Sequence, residues 1–304
     1  MAVDIIAETL ERASVGRPIT RAGVSLFPVY LHRDSGLDHL PGVTALAEGL
    51  VELDEVGAVG SLRLSSRAAK PILFPEGDTL VGGWQNRTLD VTVLVGAREV
   101  VEIPVACVEA GRWGKGRRFS HGRIFVPRKV RRAKVASLSA RVAAGVGRRS
   151  DQRAVWNRVE DELRGVGAHA PTAAIHDAVG TVTGRLAELR DRGPLPGQHG
   201  VVVTLGRRVV AVELFARPET LAAYWPSMID AYAFDVESRA EGRASAADAL
   251  EFLGVLAGSA RTERPGVGLG TELHITGRRI VAHGLRVDDV LVHLSAFDVR
   301  EETP

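Results

Sequence analysis

The chain has 304 residues, 45% hydrophobic and 25% charged, which is long for one domain, short for three, and enough for a sizeable core. Its single cysteine, Cys107, excludes an internal disulfide framework and a multi-cysteine zinc site, and no apolar run approaches the roughly 18 residues that span a bilayer. The net charge of +2 conceals an asymmetry, because residues 111–149 hold thirteen arginines and lysines and no acid.

The opening MAVDIIAETLERASVG carries acids early and lacks the basic flank and apolar segment of a secretory signal, so a reducing cytoplasm is the expected location. Ile5, Ile6 and Leu10 predict an amphipathic helix, followed by a turn and a strand over 24–31. A short helix over 41–50 and strands over 51–56, 61–65 and 71–74 come next, separated by glycines and polar turns. Residues 89–95 and 100–108 alternate with period two and predict an antiparallel hairpin closed at 96–99. Cys107 falls on the core-facing parity of the second run and reads as a small buried hydrophobe; no Cys/His arrangement marks it as a nucleophile.

Residues 111–122 (GRWGKGRRFSHG) read as a glycine- and arginine-rich loop without the strand–loop–helix pattern of a P-loop. Pro127 opens a helix to about residue 144, Ser150 reads as the N-cap of a helix through 163, and Pro171 begins another to about 189. The PLPGQHG stretch at 194–200 is the expected boundary between a β-rich unit, 1–193, and an α+β unit, 194–304, packed closely on it. Beyond it lie a hairpin (201–205 and 209–215), a helix over 218–236, a helix capped by Ser245, and strands at 270–276, 279–283 and 290–297. Strands and helices do not alternate regularly, which argues against a Rossmann sheet or an eightfold βα barrel. The fold class is α+β, with an antiparallel β-rich N-terminal part.

The expected hairpin would bring the polar residues at its two ends to one sheet edge. Glu76, Asp78, Gln85, Asn86 and Arg87 precede the first run, and Glu109, Arg112 and Trp113 follow the second. Carboxylates among Glu76, Asp78, Glu102 and Glu109 suit acid–base work or a hard cation such as Mg²⁺. Arg87 and Arg112 suit phosphate, Gln85 and Asn86 suit sugar hydroxyls, and Trp84 or Trp113 offers a stacking face. The alternative for each is a solvated acid or a polar turn satisfying its own backbone. The nine histidines show no HExxH or comparable ligand spacing.

The segments GDTLVGGWQNRTLDVTVLV, IPVACVEAGRW, SDQRAVW and GVVVTLGRRVVAVELFARPETLAAYWPSMIDAYAFD, with VHLSAF near the end, resemble the ARG and Rhodanese-Phosphatase-superfamily-associated protein domain, where ARG denotes ADP-ribosylglycohydrolase. The resemblance runs from about Gly23 to Phe297 and places Asp78, Gln85, Asn86, Arg87, Glu109, Arg112, Trp113, Asp151, Gln152 and Trp156 on its motifs. It departs at Asp78, where the family carries glutamate, and at Trp84, where lysine is common. It implies a place in ADP-ribose, NAD-derived or nucleotide-phosphate metabolism and assigns no reaction.

The leading expectation is a protein that binds, and in its enzymatic form hydrolyses or transfers, an ADP-ribose-like anion. Glu109 and Asp78 are then the acid–base pair, and Gln85, Asn86, Arg87, Arg112, Trp113, Asp151 and Gln152 hold the ligand. The rival readings are a non-catalytic module for ADP-ribosylation-system partners and a nucleic-acid surface over 111–149.

Overall fold

The computed structural model describes residues 4–32, 37–112, 114, 116–236 and 241–300. Its largest element is an antiparallel nine-stranded sheet. The strand order is Ser14–Val15, Val24–Tyr30, Gly200–Leu205, Arg208–Phe215, Val290–Asp298, Ile280–Val287, Thr271–Thr276 and Arg261–Pro265, with Ile19–Arg21 also paired to Val24–Tyr30. The period-two pattern places successive valines on opposite faces. Val201 and Val203 enter one apolar cluster with Trp225 and Met228 of helix Pro218–Tyr232. Val202 enters another with Ile6, Leu10, Phe252 and Leu256 from helices Ile5–Glu11 and Ala246–Ala257. The large sheet is therefore covered on both faces.

The second layer is a six-stranded antiparallel sheet in the order Ser120–Phe125, Asp78–Val81, Arg87–Leu89, Val100–Cys107, Ser61–Ser66 and Val51–Glu55. Beside it, Val93–Val95, Ile72–Phe74 and Leu40–Pro41 form a three-stranded sheet. Helix Arg128–Ala143 packs against Thr271–Thr276, Ile280–Val287 and Val290–Asp298 of the large sheet and against helix Gln152–Gly165. The architecture is α+β. No helix among the described residues is long and apolar enough to cross a membrane.

Several local expectations change. The hairpin over 89–95 and 100–108 is divided between two sheets. Leu89, Thr88 and Arg87 stand opposite Val105, Ala106 and Cys107, but Val93–Val95 pairs with Ile72–Phe74. The chain leaves the first ladder because Thr92 is claimed by the large sheet: its amide donates to His283 Nε2 at 2.9 Å and its hydroxyl meets His293 Nδ1 at 2.8 Å. Ser150 is not the helix cap. It binds both oxygens of the Asp90 carboxylate, and Asp151 caps Gln152–Gly165 by accepting the amides of Arg153 and Ala154. The helix over 171–189 breaks into short turns, Ile175–Ala178, Val179–Val182, Thr183–Leu186 and Ala187–Arg192, where glycines and β-branched residues weaken helical propensity. The large sheet also takes strands from both sides of the 193/194 boundary, since Gly200–Leu205 pairs with Val24–Tyr30.

Candidate functional site

The strands Asp78–Val81 and Arg87–Leu89 are joined by a tight turn in which Gly82 and Gly83 adopt φ of 139° and 52°, a region that favours glycine. A side chain on residue 83 would run into the Phe119 ring and lie 2.6 Å from Glu55 Oε1. Because Cys107 stands opposite Arg87, the turn sets Gln85, Asn86 and Arg87 against residues 107–112.

Glu109 is the hub of this contact. Its Oε2 accepts the Asn86 amide at 3.1 Å and Arg112 Nη2 at 2.8 Å; its Oε1 accepts Arg112 Nε at 3.0 Å and the Thr172 hydroxyl at 2.8 Å. Arg112 Nη1 also donates to the Gly83 carbonyl at 2.9 Å, and Nη2 to Asn86 Oδ1 at 3.2 Å. Gln85 Nε2 donates to the Glu109 carbonyl at 2.8 Å. Burial pushes the Glu109 carboxyl up, but Arg112, the Asn86 amide and Thr172 outweigh it and hold the group below its ordinary value. Arg87, fully buried, donates to Gln85 Oε1 and to both Glu55 oxygens, each at 3.4 Å. Gln152 binds Cys107 from the other side, accepting its amide at 2.8 Å and donating to its carbonyl at 2.9 Å.

Gln85, Asn86, Arg87, Glu109 and Arg112 thus meet, but as partners of one another, and Gln152 holds the neighbouring Cys107 backbone. Ligand contact requires polar atoms aimed at open space, and here both Glu109 oxygens and the Arg112 fork are aimed at protein. The group is a clasp. Asp151 stands apart as an exposed helix cap, and Trp113 lies outside the described residues. Burial pushes the Cys107 thiol up to about 11, which leaves it protonated and inert at neutral pH.

Asp78 is placed with a different partner. Its Oδ1 lies 2.8 Å from His121 Nε2 and accepts the Thr79 amide at 2.8 Å, while its buried Oδ2 has no hydrogen-bond partner among the described residues. His121 sits on the edge strand Ser120–Phe125, which bulges: Ser120 and His121 stand opposite Val81 and Leu80, but Phe125 stands opposite Asp78. Within the bulge Arg123 takes φ 58°, and Gly122 presses on Thr79 and His176 so closely that a Cβ would collide with both. Thr79 Oγ1 meets His176 Nε2 at 3.2 Å, and burial drives His176 down to about 4 despite the nearby Glu109 charge. His121 opens onto a cavity of about 350 Å³ lined by Val43, Leu46, Ala47, Phe119, Ser120, His121 and Arg123.

Residues 12–297 match the model of the ARG and Rhodanese-Phosphatase-superfamily-associated Protein domain, ARPP-1. The chain belongs to this family. Neither the curated proteins nor the solved structures give a match. Within the matched span Gln85, Asn86, Arg87, Glu109 and Arg112 form the clasp, and Asp78 faces His121. His121 carries no spacing signature in the sequence. Its strand is short, emerges from the glycine- and arginine-rich segment read as a loop, and shows no period-two alternation that would have marked it.

Three residues of the basic stretch, Arg128, Arg131 and Lys134, turn inward. Arg131 binds Glu76, through Nε at 2.9 Å, and Glu213, and Lys134 Nζ binds Glu76 Oε2 at 2.8 Å and the Leu89 carbonyl at 2.7 Å, all fully or almost fully buried. Arg128 is paired with Asp235 in the same interior. Glu76, expected at the sheet edge, is therefore a core group, and Glu102 is exposed. Among the described residues no three histidine, cysteine or carboxylate side chains are arranged to hold a metal ion.

Proposed function

We propose that this chain binds an anionic, nucleotide-like ligand of the ADP-ribose class in the cavity over His121. One observation carries the reading: Val43, Leu46, Ala47 and Phe119 supply apolar and aromatic surface, Ser120, His121 and Arg123 supply polar and cationic groups, and no carboxylate lines the space. A ring and aliphatic surface suit a base, while a guanidinium and an imidazole suit phosphate oxygens. A volume of about 350 Å³ lies within the usual range of small-ligand sites. Membership in a family named for its association with ARG and rhodanese-phosphatase proteins points the same way.

In this reading the clasp shapes the site without touching the ligand. Arg112 holds the Gly83 carbonyl, and Gly83 stands against Phe119, so the clasp fixes one part of the lining. The Asp78–His121 pair offers an acid–base group, and hydrolysis or transfer of the bound ligand is the enzymatic form of the proposal. A binding module for ADP-ribosylated partners is its non-catalytic form. The nucleic-acid reading loses ground because Arg128, Arg131 and Lys134 are interior.

Calorimetric titration with ADP-ribose, AMP and inorganic phosphate tests the assignment. Arg123→Ala is expected to weaken all three about tenfold, roughly 1.4 kcal/mol, and Phe119→Ala only the two that carry adenine. Absence of binding by the wild type, or indifference to both substitutions, overturns it. Turnover of ADP-ribose that disappears in His121→Asn even at saturating ligand selects the enzymatic form.

A further inference from the structure

The hydrogen bonds of His121 define its tautomer. The Arg123 backbone amide donates to Nδ1 at 3.1 Å, so in the neutral ring Nδ1 bears the lone pair and Nε2 carries the proton that it donates to Asp78. A second proton must therefore enter at Nδ1. Once there, Nδ1–H and the Arg123 N–H face each other as two donors, and the bond between them is lost. Both residues line the cavity, and the left-handed φ of Arg123 belongs to the bulge that carries them.

We propose that His121 Nδ1 and the Arg123 backbone amide form an oxyanion seat assembled by protonation, in which one oxygen of a phosphate- or sulfate-type anion accepts from both. This rests on the ligand reading above and names the part of the site that takes the charge. The buried Asp78 carboxylate, with Oδ2 unpartnered, supplies the counter-charge for the imidazolium. Backbone donors in a bulge are suited to anions, and the imidazolium adds a charge-assisted bond.

The groups facing the ring determine when this occurs. Asp78 on the neighbouring strand favours the charged ring, and Arg123 on its own strand opposes it. His176, from Ile175–Ala178, stays neutral near neutral pH, and so does Tyr224 from Pro218–Tyr232, whose ring lies 6.2 Å away. Burial alone would lower His121, but Asp78 outweighs it and holds the imidazole above its ordinary value.

Sulfate is a suitable test anion because its charge is constant across the range, and ADP-ribose is the larger one. Titrations of both between pH 5.5 and 9, in buffers of contrasting ionisation enthalpy, are expected to show affinity falling about tenfold per pH unit above the His121 pKa, with uptake approaching one proton. His121→Asn is expected to remove the proton uptake, and Asp78→Asn to shift the fall in affinity to lower pH. In the ligand-free protein, the Arg123 amide resonance is expected to titrate together with the His121 ring. Binding without proton uptake, or an Arg123 amide insensitive to His121 titration, overturns the seat. Failure of both anions to bind at every pH overturns the ligand reading instead, and the seat with it as a ligand site; the amide titration still reports whether protonation breaks the bond.

Discussion

Glu109 and Arg112 are joined by two parallel hydrogen bonds, Nε to Oε1 at 3.0 Å and Nη2 to Oε2 at 2.8 Å, in a fork that also reaches the turn carrying Gln85 and Asn86. Glu109→Gln preserves shape but removes the charge and replaces one acceptor by a donor facing donors. It is expected to cost about 1–3 kcal/mol in urea denaturation. The carboxyl is depressed in the fold, so its contribution is complete above the unfolded value near 4.5 and is lost as pH falls through the lower folded value. Stability curves below pH 5 should therefore be less steep in Glu109→Gln than in wild type.

Arg131 and Lys134 meet Glu76 and Glu213 where no water competes, and Arg131 also lies 5.1 Å from the Phe125 ring centroid. Removing one cation strands a buried carboxylate. Lys134→Met and Arg131→Met are each expected to destabilise by about 3–5 kcal/mol, far more than any exposed arginine of the same segment, such as Arg141. Equilibrium denaturation of these two variants and of Arg141→Met provides the comparison.

His283 and His293 are buried as neutral rings, and burial drives both down, His293 to about 3. The unfolded chain binds protons at these histidines below about pH 6.5, while the folded chain does not, so stability falls as pH drops through this interval. Each contributes a slope of about 1.4 kcal/mol per pH unit between its unfolded and folded values. Removing one ring by His293→Gln should flatten the measured dependence between pH 6 and 4 by about one proton.

Gly122→Ala places a methyl group 2.5 Å from His176 Nε2 and even closer to the Thr79 hydroxyl. The expected cost is about 1–3 kcal/mol, from overpacking. The bulge must also shift, which moves His121 relative to Asp78. An altered His121 titration in NMR, beside a modest drop in Tm, is the expected signature.

The α+β class, helices such as Arg128–Ala143 and the Ser245 N-cap were legible because each follows from local chemistry: periodicity, a proline start, a hydroxyl ahead of a first-turn acid. The meeting of Asn86 with Glu109 was legible too, since Arg87–Leu89 does pair with the strand ending at Cys107. Other features depended on partners remote in sequence. Thr92 leaves its ladder for histidines about 200 residues away, and Asp78 pairs with a histidine 43 residues on, across an irregular bulge. Neither alternation nor spacing encodes such a choice. The partners of the basic run were hidden for the same reason: charge is visible in sequence, but the carboxylates that draw Arg131 and Lys134 inward come from Glu76 and Glu213 on other elements.

Gln152 gives the end of strand Val100–Cys107 a neighbour made from a side chain, since its carboxamide offers Cys107 the same acceptor and donor that another strand would present. An open strand end is a template for pairing with a second chain. With the amide and carbonyl of Cys107 already engaged, an incoming strand finds no free backbone partner at this residue, and the helix that begins at Gln152 closes the strand end it starts from.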